Sequence, residues 1–113
     1  VVDDDPVILD FFTNLLKGKN KSCKIARNKD EVLALIRQNK FDLVFLDLVL
    51  KDVSGLSIYK EIKEVLPKAT IVAITGFPQK AKEISGSAEI AGCLYKPFEI
   101  ESVLEYIRKI KAK

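Results

Sequence analysis

The sequence predicts an α/β fold: a single doubly wound domain with a central parallel sheet and helices on both faces. Apolar runs alternate with amphipathic stretches along all 113 residues, which is typical of strands that alternate with helices. The run from Leu43 to Leu46 is apolar without interruption, as expected of a strand buried on both faces. No repeat or low-complexity linker divides the chain, so we expect one domain over residues 1–113.

Five strands are predicted from the apolar runs. The first ends only two residues into the sequence, and we expect its beginning to be truncated. The second is weak, whereas the third and fourth are clear apolar runs. The predicted strands are Val1–Val2, Cys23–Ala26, Leu43–Leu46, Thr70–Ile74 and Cys93–Tyr95.

Five helices are predicted, and in four of them apolar residues recur at three- and four-residue spacing. The fourth, over 79–91, is the weakest, because Gly86 lies between two serines and lowers helix propensity. The first is expected to begin after Asp5, a helix cap, with Pro6 as its first residue. The apolar faces of the first, second, third and fifth helices are, in that order, Ile8, Phe11, Phe12, Leu15 and Leu16; Val32, Leu35 and Ile36; Ile58, Ile62, Val65 and Leu66; and Ile100, Val103, Leu104, Ile107 and Ile110.

Composition excludes several classes of function. Hydrophobic residues make up 48% and charged residues 31% of the chain, the balance of a soluble globular protein. The chain has no histidine, so it supplies no phosphohistidine, imidazole metal ligand or histidine-based catalytic triad. Cys23 and Cys93 lack zinc or redox spacing, and we expect them to be small core residues of a reduced, cytoplasmic protein. The net charge of +3 includes a basic C-terminal tail, which we interpret as a solvated helix end.

Polar side chains follow four of the five predicted strands. In parallel α/β sheets this carboxyl end of the strands is where ligand sites lie. We therefore expect these side chains to form one site, to which the second strand contributes no obvious member. They are Asp3, Asp4 and Asp5 after the first strand, Asp47 after the third, Thr75 after the fourth and Lys96 after the fifth.

The acids of this group predict a cation site. Carboxylates on adjacent strand ends repel one another in a partly dehydrated crevice, and they stay ionised only with a cation between them. Mg²⁺ is the expected ion, because it takes a few carboxylates together with water and phosphate oxygens. Lys96 then offers a positive charge, and Thr75 a hydroxyl, to a transferred phosphoryl group. Asp5 is interpreted as a helix cap rather than a ligand.

Four segments together resemble the receiver domains of bacterial-type two-component response regulators. They are VVDDDP at 1–6, FDLVFLDLVLKDVSG at 41–55, IVAITG at 71–76 and YKPF at 95–98. A single acid pair or a single KP dipeptide is a weak signal, whereas these four segments occur in the right order and spacing over essentially the whole chain. The resemblance implies a flavodoxin-like (βα)5 domain whose five-stranded sheet has the order 2-1-3-4-5.

The resemblance also implies a role for each acid. Asp47 resembles the phosphoacceptor, whose carboxylate attacks a phosphohistidine of a sensor histidine kinase and becomes an acyl phosphate. Asp3 and Asp4 resemble the acid pair that holds Mg²⁺, with Asp4 as a direct ligand and Asp3 acting through water. The backbone carbonyl of Val49 matches the main-chain metal ligand of the family.

Thr75 and Lys96 match the switch hydroxyl and the phosphate-pairing lysine of the family, and the Lys96–Pro97 bond is expected to be cis. Phosphorylation is expected to draw both side chains inward and to repack the face built from the fourth helix, fifth strand and fifth helix. A protein of this kind is a signalling switch and not an enzyme, and it acts on a downstream effector domain or protein. Homodimerisation through that face stays open, and we expect no contact with nucleic acid or membrane.

The sequence departs from the family pattern at a few positions. Leu50–Lys51 stands in place of a Met-Pro pair, Cys93 in place of an aromatic switch residue, and Gly76 in place of an alanine. Val49 and Phe77, each two residues after a key site residue, are apolar. We predict that they disfavour an attacking water and lengthen the lifetime of the phosphorylated form.

Two other functions stay open at this point. Asp3 and Asp5 form a DxD pattern after an apolar strand, as in aspartate-nucleophile phosphatases of the haloacid-dehalogenase type. The small size, the lack of a cap domain and the placement of Asp47 argue against that enzyme. A pseudo-receiver that keeps the fold without phosphorylation is the second alternative, and the complete set of site residues argues against it.

Overall fold

The computed structural model describes residues 1–19, 22–50, 55–76, 92–96 and 98–111, without the side chains of residues 56, 110 and 111. The helix predicted over 79–91 lies outside the described residues. Within these ranges the elements, in chain order, are α1 (Pro6–Gly18), α2 (Lys29–Gln38), β1 (Leu43–Asp47), α3 (Gly55–Val65), β2 (Thr70–Thr75), β3 (Gly92–Tyr95) and α4 (Ile100–Lys111).

The strands form one parallel sheet in the order β1, β2, β3. Val2 extends the sheet beside β1, because it forms parallel bridges with Leu46 on one side and with Ala26 on the other. The segments therefore lie side by side in the predicted order 2-1-3-4-5. The first two are shorter than predicted, since each contributes a single bridged residue, and Ile25 next to that bridge is already 37% exposed.

Two apolar clusters cover the two faces of the sheet, because alternate residues of a strand point to opposite faces. On β1, Val44 and Leu46 belong to one cluster and Phe45 to the other. The first cluster is completed from α2 and α3 by Val32, Ile36, Ile58 and Ile62. The second is completed from α1 and α4 by Phe12, Val103, Leu104 and Ile107. Helices therefore lie on both faces, which confirms the doubly wound α/β fold.

The ends of α1, α3 and α4 can be compared with the sequence pattern. The predicted start of α1 is confirmed: Asp5 Oδ1 accepts a hydrogen bond of 2.9 Å from the N–H of Val7, and proline occupies the first turn. The apolar faces predicted for α3 and α4 are not buried along their whole length, because Val65 is 43% and Ile100 50% exposed. Val65 is the last residue of α3 and Ile100 the first residue of α4.

The predicted core position of the two cysteines is also wrong. Cys23 and Cys93 are free thiols and only half-buried. Each belongs to an outer segment of the described sheet, Cys23 to the one leading to Ala26 and Cys93 to β3, where less of the chain covers it. Among the described residues, none of the helices has the combined length and apolar character that crossing a bilayer requires.

Candidate functional site

The carboxyl edge of the sheet brings the predicted site residues together. Asp47 is the last residue of β1 and Thr75 the last of β2, and these two strands pair in parallel. Asp3 follows the residue that is bridged to β1. Lys96 follows β3, and its N–H donates a hydrogen bond of 2.8 Å to the carbonyl of Thr75. The residues that end or directly follow β1, β2, β3 and the bridged first segment therefore lie close together.

Three polar side chains are buried at this edge, which is uncommon for residues of these types. Asp3 is 0%, Asp47 3% and Thr75 1% exposed, and within the described part of the chain they are the buried polar residues. Asp4, by contrast, lies exposed. Burying two neighbouring carboxylates costs free energy unless a positive charge compensates them.

Lys96 supplies such a charge. Its Nζ lies 3.2 Å from Asp47 Oδ2, to which it donates a hydrogen bond, and 3.2 Å from Asp3 Oδ2. The lysine side chain keeps 28% exposure. The ammonium group therefore reaches the buried acids from the solvent side and contacts both of them, which brings together the predicted residues of the first, third and fifth segments.

Backbone amides hold the other oxygen of each buried acid. The N–H of Asp5 donates to Asp3 Oδ1 at 2.9 Å, and the N–H of Val49 donates to Asp47 Oδ1 at 2.9 Å. Each bond reaches two residues along the chain and so fixes the carboxylate orientation locally. Asp3 Oδ2 differs: it is buried and within ion-pair distance of Lys96, but it accepts no hydrogen bond of good geometry from the described residues.

The surroundings of Asp47 disfavour its charge. Burial raises the pKa of Asp47 to about 6; the Val49 N–H lowers it, the negative charge of Asp3 raises it, and Lys96 lowers it. Burial lowers the pKa of Lys96, but the negative charges of Asp47 and Asp3 outweigh burial and leave that pKa above its ordinary value. Lys96 is therefore positively charged at neutral pH, whereas Asp47 titrates close to neutrality unless a further cation stabilises its charge.

The acids of the site can hold a metal ion. Asp3, Asp4 and Asp47 each offer one carboxylate oxygen, and these three atoms lie within 4.8 Å of one another. An all-oxygen donor set suits a hard divalent cation better than zinc or copper. The buried Asp3 Oδ2 fits the same interpretation, because beside its ion pair with Lys96 it accepts no hydrogen bond of good geometry from the described residues.

One glycine that the sequence pattern left without a role contacts the residue that follows Asp47. The N–H of Gly55 donates to the carbonyl of Leu48 at 3.1 Å, and the N–H of Leu48 donates to the carbonyl of Ile74 at 3.0 Å. A Cβ added at Gly55 would lie 2.5 Å from Leu48 Cα. The sequence offered one signal for this contact: a glycine stands at the start of a helical pattern, where a residue with a side chain is ordinarily preferred.

The doubly wound sheet, with two buried acids and a lysine at its carboxyl edge, defines an α/β domain with a cluster of acids that can hold a cation. Residues 1–108 match the response regulator receiver domain family, and the chain belongs to that family. Receiver domains are phosphoacceptor switches of two-component signalling. They are signalling modules rather than conventional enzymes.

Relatives of known sequence or structure agree with this assignment. The transcriptional regulatory protein DltR of Streptococcus agalactiae is 32% identical over 109 residues, which cover 96% of this chain and 49% of DltR. A two-component response regulator from Clostridium difficile has a crystal structure with a TM-score of 0.90 at 27% identity, covering 99% of this chain and 93% of that one. TrrA of Thermotoga maritima, crystallised in complex with Mg(2+)-BeF, has a TM-score of 0.83 at 27% identity, covering 96% and 94%. The chain thus spans about half the length of DltR.

The family assignment does not favour the two alternatives, the haloacid-dehalogenase type phosphatase and the pseudo-receiver. Two further predictions, the cis bond between Lys96 and Pro97 and the apolar screening by Phe77, lie outside the described residues. Val49, the other predicted screening residue, is described: its side chain is 41% exposed beside the site.

Proposed function

We propose that Asp47 is the phosphoacceptor of this receiver domain and takes its phosphoryl group from a phosphohistidine of a sensor histidine kinase. The observation that carries the proposal is the position of Lys96 Nζ, 3.2 Å from both Asp47 Oδ2 and Asp3 Oδ2 at a buried edge. A nucleophilic carboxylate and the groups that neutralise the charge of a phosphoryl group are therefore within reach of one another.

The two oxygens of Asp47 differ in their surroundings. Oδ1 accepts the Val49 N–H, whereas Oδ2 faces Lys96, and we assign Oδ2 as the nucleophile. It attacks phosphorus, the bond from phosphorus to the imidazole nitrogen of the kinase breaks, and the acyl phosphate stays on Asp47. Such a transfer requires mainly positioning and charge neutralisation from the protein.

We assign Mg²⁺ to Asp3, Asp4, Asp47 and the backbone carbonyl of Val49. The close approach of the three carboxylates and the Mg(2+)-BeF complex of TrrA support this assignment. When bound, Mg²⁺ neutralises negative charge between the carboxylates and the phosphoryl oxygens. The chain's own contribution is to hold two of the acids buried, with one oxygen of each fixed by a backbone N–H.

Thr75 and Lys96 form the proposed switch. Thr75 is buried at the end of β2, and its carbonyl accepts the backbone N–H of Lys96, so the two residues are coupled through the main chain. Negative charge added to Asp47 attracts the hydroxyl and the ammonium group. Their movement is passed to the part of the surface that carries β3 and α4.

The proposed setting is a phosphorelay in which this domain, over residues 1–113, controls an effector domain or protein. DltR, a transcriptional regulatory protein about twice as long as the matched region, supports an effector of that kind. We place the domain in the cytoplasm, in keeping with its two free cysteines, and we propose that it signals by changing state and is not an enzyme. A homodimer formed through the same face is a further candidate assembly.

Incubation with acetyl phosphate and Mg²⁺, followed by intact-protein mass spectrometry, tests the proposal. The wild type is expected to gain one phosphoryl group, to require Mg²⁺ for it, and to lose the gain in Asp47→Asn. Asp10→Asn, a change at an exposed acid on α1, is the matched control and is expected to keep it. A gain that persists in Asp47→Asn contradicts the assignment, and a wild type without any gain supports the pseudo-receiver instead.

A further inference from the structure

We infer that Gly55 is a positioning residue for the Asp47 carboxylate, because its contact with the Leu48 backbone sets where Asp47 and its N–H donor Val49 lie. The inference deepens the proposed function and rests on it for the role of Asp47. It requires no contact between Gly55 and a reacting atom, since Gly55 acts through Leu48.

Leu48 is fixed from two sides. Its N–H donates to the carbonyl of Ile74 on β2 at 3.0 Å, and its carbonyl accepts the N–H of Gly55 at the start of α3 at 3.1 Å. The Leu48 side chain is also buried, at 4% exposure. The peptide units on either side of Leu48 lead directly to Asp47 and to Val49, so any shift of Leu48 is transmitted to both.

The space between Gly55 and Leu48 admits no side chain. An added Cβ at Gly55 would lie 2.5 Å from Leu48 Cα and 2.9 Å from its carbonyl oxygen. All three nearest atoms belong to the backbone of Leu48, so no side-chain rotation relieves the overlap. Either Leu48 or the first turn of α3 must move by about 1 Å to restore an ordinary carbon–carbon contact.

Movement of Leu48 disturbs the group that orients Asp47. The Val49 N–H, one residue beyond Leu48, donates the 2.9 Å hydrogen bond to Asp47 Oδ1. Loss or rotation of this bond frees the carboxylate to turn away from Lys96 and from the oxygens of Asp3 and Asp4. A misplacement of about 1 Å at a reacting group is enough to lower a rate by about a hundredfold.

Gly55→Ala tests the inference, with Gly18→Ala as the matched control, because a Cβ at Gly18 meets nothing within 4 Å. Mg²⁺ affinity is measured by titration calorimetry on folded protein, phosphorylation by acetyl phosphate is timed by mass spectrometry, and stability is measured separately in urea. For Gly55→Ala we expect Mg²⁺ affinity about tenfold weaker or worse and slower phosphorylation. Gly18→Ala is expected to match the wild type in both.

A Gly55→Ala protein that is less stable but binds Mg²⁺ with wild-type affinity when folded overturns the inference, because the glycine is then merely structural. The Mg²⁺ titration does not depend on phosphoryl transfer. A wild type that binds Mg²⁺ without accepting a phosphoryl group therefore refutes the proposed function while leaving the role of Gly55 testable.

If Gly55→Ala does not fold, amide hydrogen exchange of the wild-type protein tests the inference instead. The Gly55 and Val49 amides are expected to open together, and saturating Mg²⁺ is expected to slow the exchange of both by the same factor. Slowing of the Val49 amide alone, with Gly55 unchanged, overturns the inference.

Discussion

The interior of the sheet and its carboxyl edge bury side chains of opposite kinds. On the two faces, the buried residues are aliphatic or aromatic, such as Ile62 and Phe12 at 0% exposure. At the edge they are Asp3, Asp47 and Thr75. Burial of the first kind stabilises the fold through the hydrophobic effect, whereas burial of the second costs free energy that pairing only partly offsets. The comparison indicates that the faces hold the domain together and that the edge serves its chemistry.

The largest stability effect is expected in the interior. Ile62→Ala removes a fully buried side chain between α3 and the sheet and should lower the free energy of unfolding by about 2–5 kcal/mol. Val65→Ala, on the same helix but at 43% exposure, should lower it by about 1 kcal/mol or less. Urea unfolding checks both, and equal losses contradict the separation of core from surface. Folded Ile62→Ala should still bind Mg²⁺ as the wild type does.

At the edge, removing a charge should stabilise the protein when Mg²⁺ is absent. The pKa of Asp47 is raised from 3.8 to about 6 in the folded state, so folding disfavours its ionised form. Wild type therefore loses stability as the pH rises from about 4 to about 6, and Asp47→Asn does not. The variant should be more stable by about 1–2 kcal/mol at neutral pH, a figure below the full shift because Lys96 and solvent screen the charge.

The pH profile of urea unfolding for Asp47→Asn checks this sign. The advantage of the variant should shrink to near zero below about pH 3, where the carboxyl is protonated in both the folded and the unfolded wild type. Asp10→Asn, at an exposed position, should show no such profile. A loss of stability in Asp47→Asn at neutral pH would sink the claim that the edge is destabilising.

Mg²⁺ should offset the loss of stability that the buried carboxylates of the edge cause. An ion that binds only the folded state stabilises it by about 1.4 kcal/mol at ten times its dissociation constant. We expect that gain in the wild type and in Val65→Ala, and only a small part of it in Asp47→Asn, which lacks one of the three carboxylates. Thermal unfolding with and without Mg²⁺ measures it, and an equal gain in Asp47→Asn places the ion elsewhere.

The smallest stability effect, below about 0.5 kcal/mol, is expected for Val49→Asn, because the Val49 side chain is 41% exposed. The Val49→Asn substitution should instead change the rate of dephosphorylation. An amide side chain in place of the apolar one can orient water toward the acyl phosphate, so dephosphorylation should be several-fold faster than in the wild type. Mass spectrometry after removal of acetyl phosphate follows the decay, and an unchanged rate rejects the screening role.

The fold was predictable because its signals are local and periodic. The uninterrupted run Leu43–Leu46 and the spacing of Ile58 and Ile62 depend only on which neighbours are apolar, and both are confirmed. Val65 and Ile100 share that spacing but are exposed, since periodicity does not show where a helix leaves the sheet. The sequence also did not indicate that the second strand is reduced to a single bridge at Ala26, because strand pairing depends on a partner that is distant in sequence.

Which residues reach the carboxyl edge was predictable, but the geometry they adopt there was not. Strand ends in sequence indicate which residues reach the carboxyl edge, and Asp3, Asp47 and Lys96 do meet there. The amide donors to the two buried acids and the contact of Gly55 with Leu48 arise from backbone conformation, which residue type alone does not specify. The raised pKa of Asp47 likewise follows from a burial that only the folded chain creates.

Locating the phosphoryl group within the chain is the most direct measurement of the central claim. Wild-type protein treated with acetyl phosphate and Mg²⁺ is digested, and tandem mass spectrometry identifies the modified aspartate. The modification is expected on Asp47, the acid that Lys96 contacts at the end of β1. A phosphoryl group found on Asp3 would contradict the account, because the nucleophile would then belong to the first segment of the sheet.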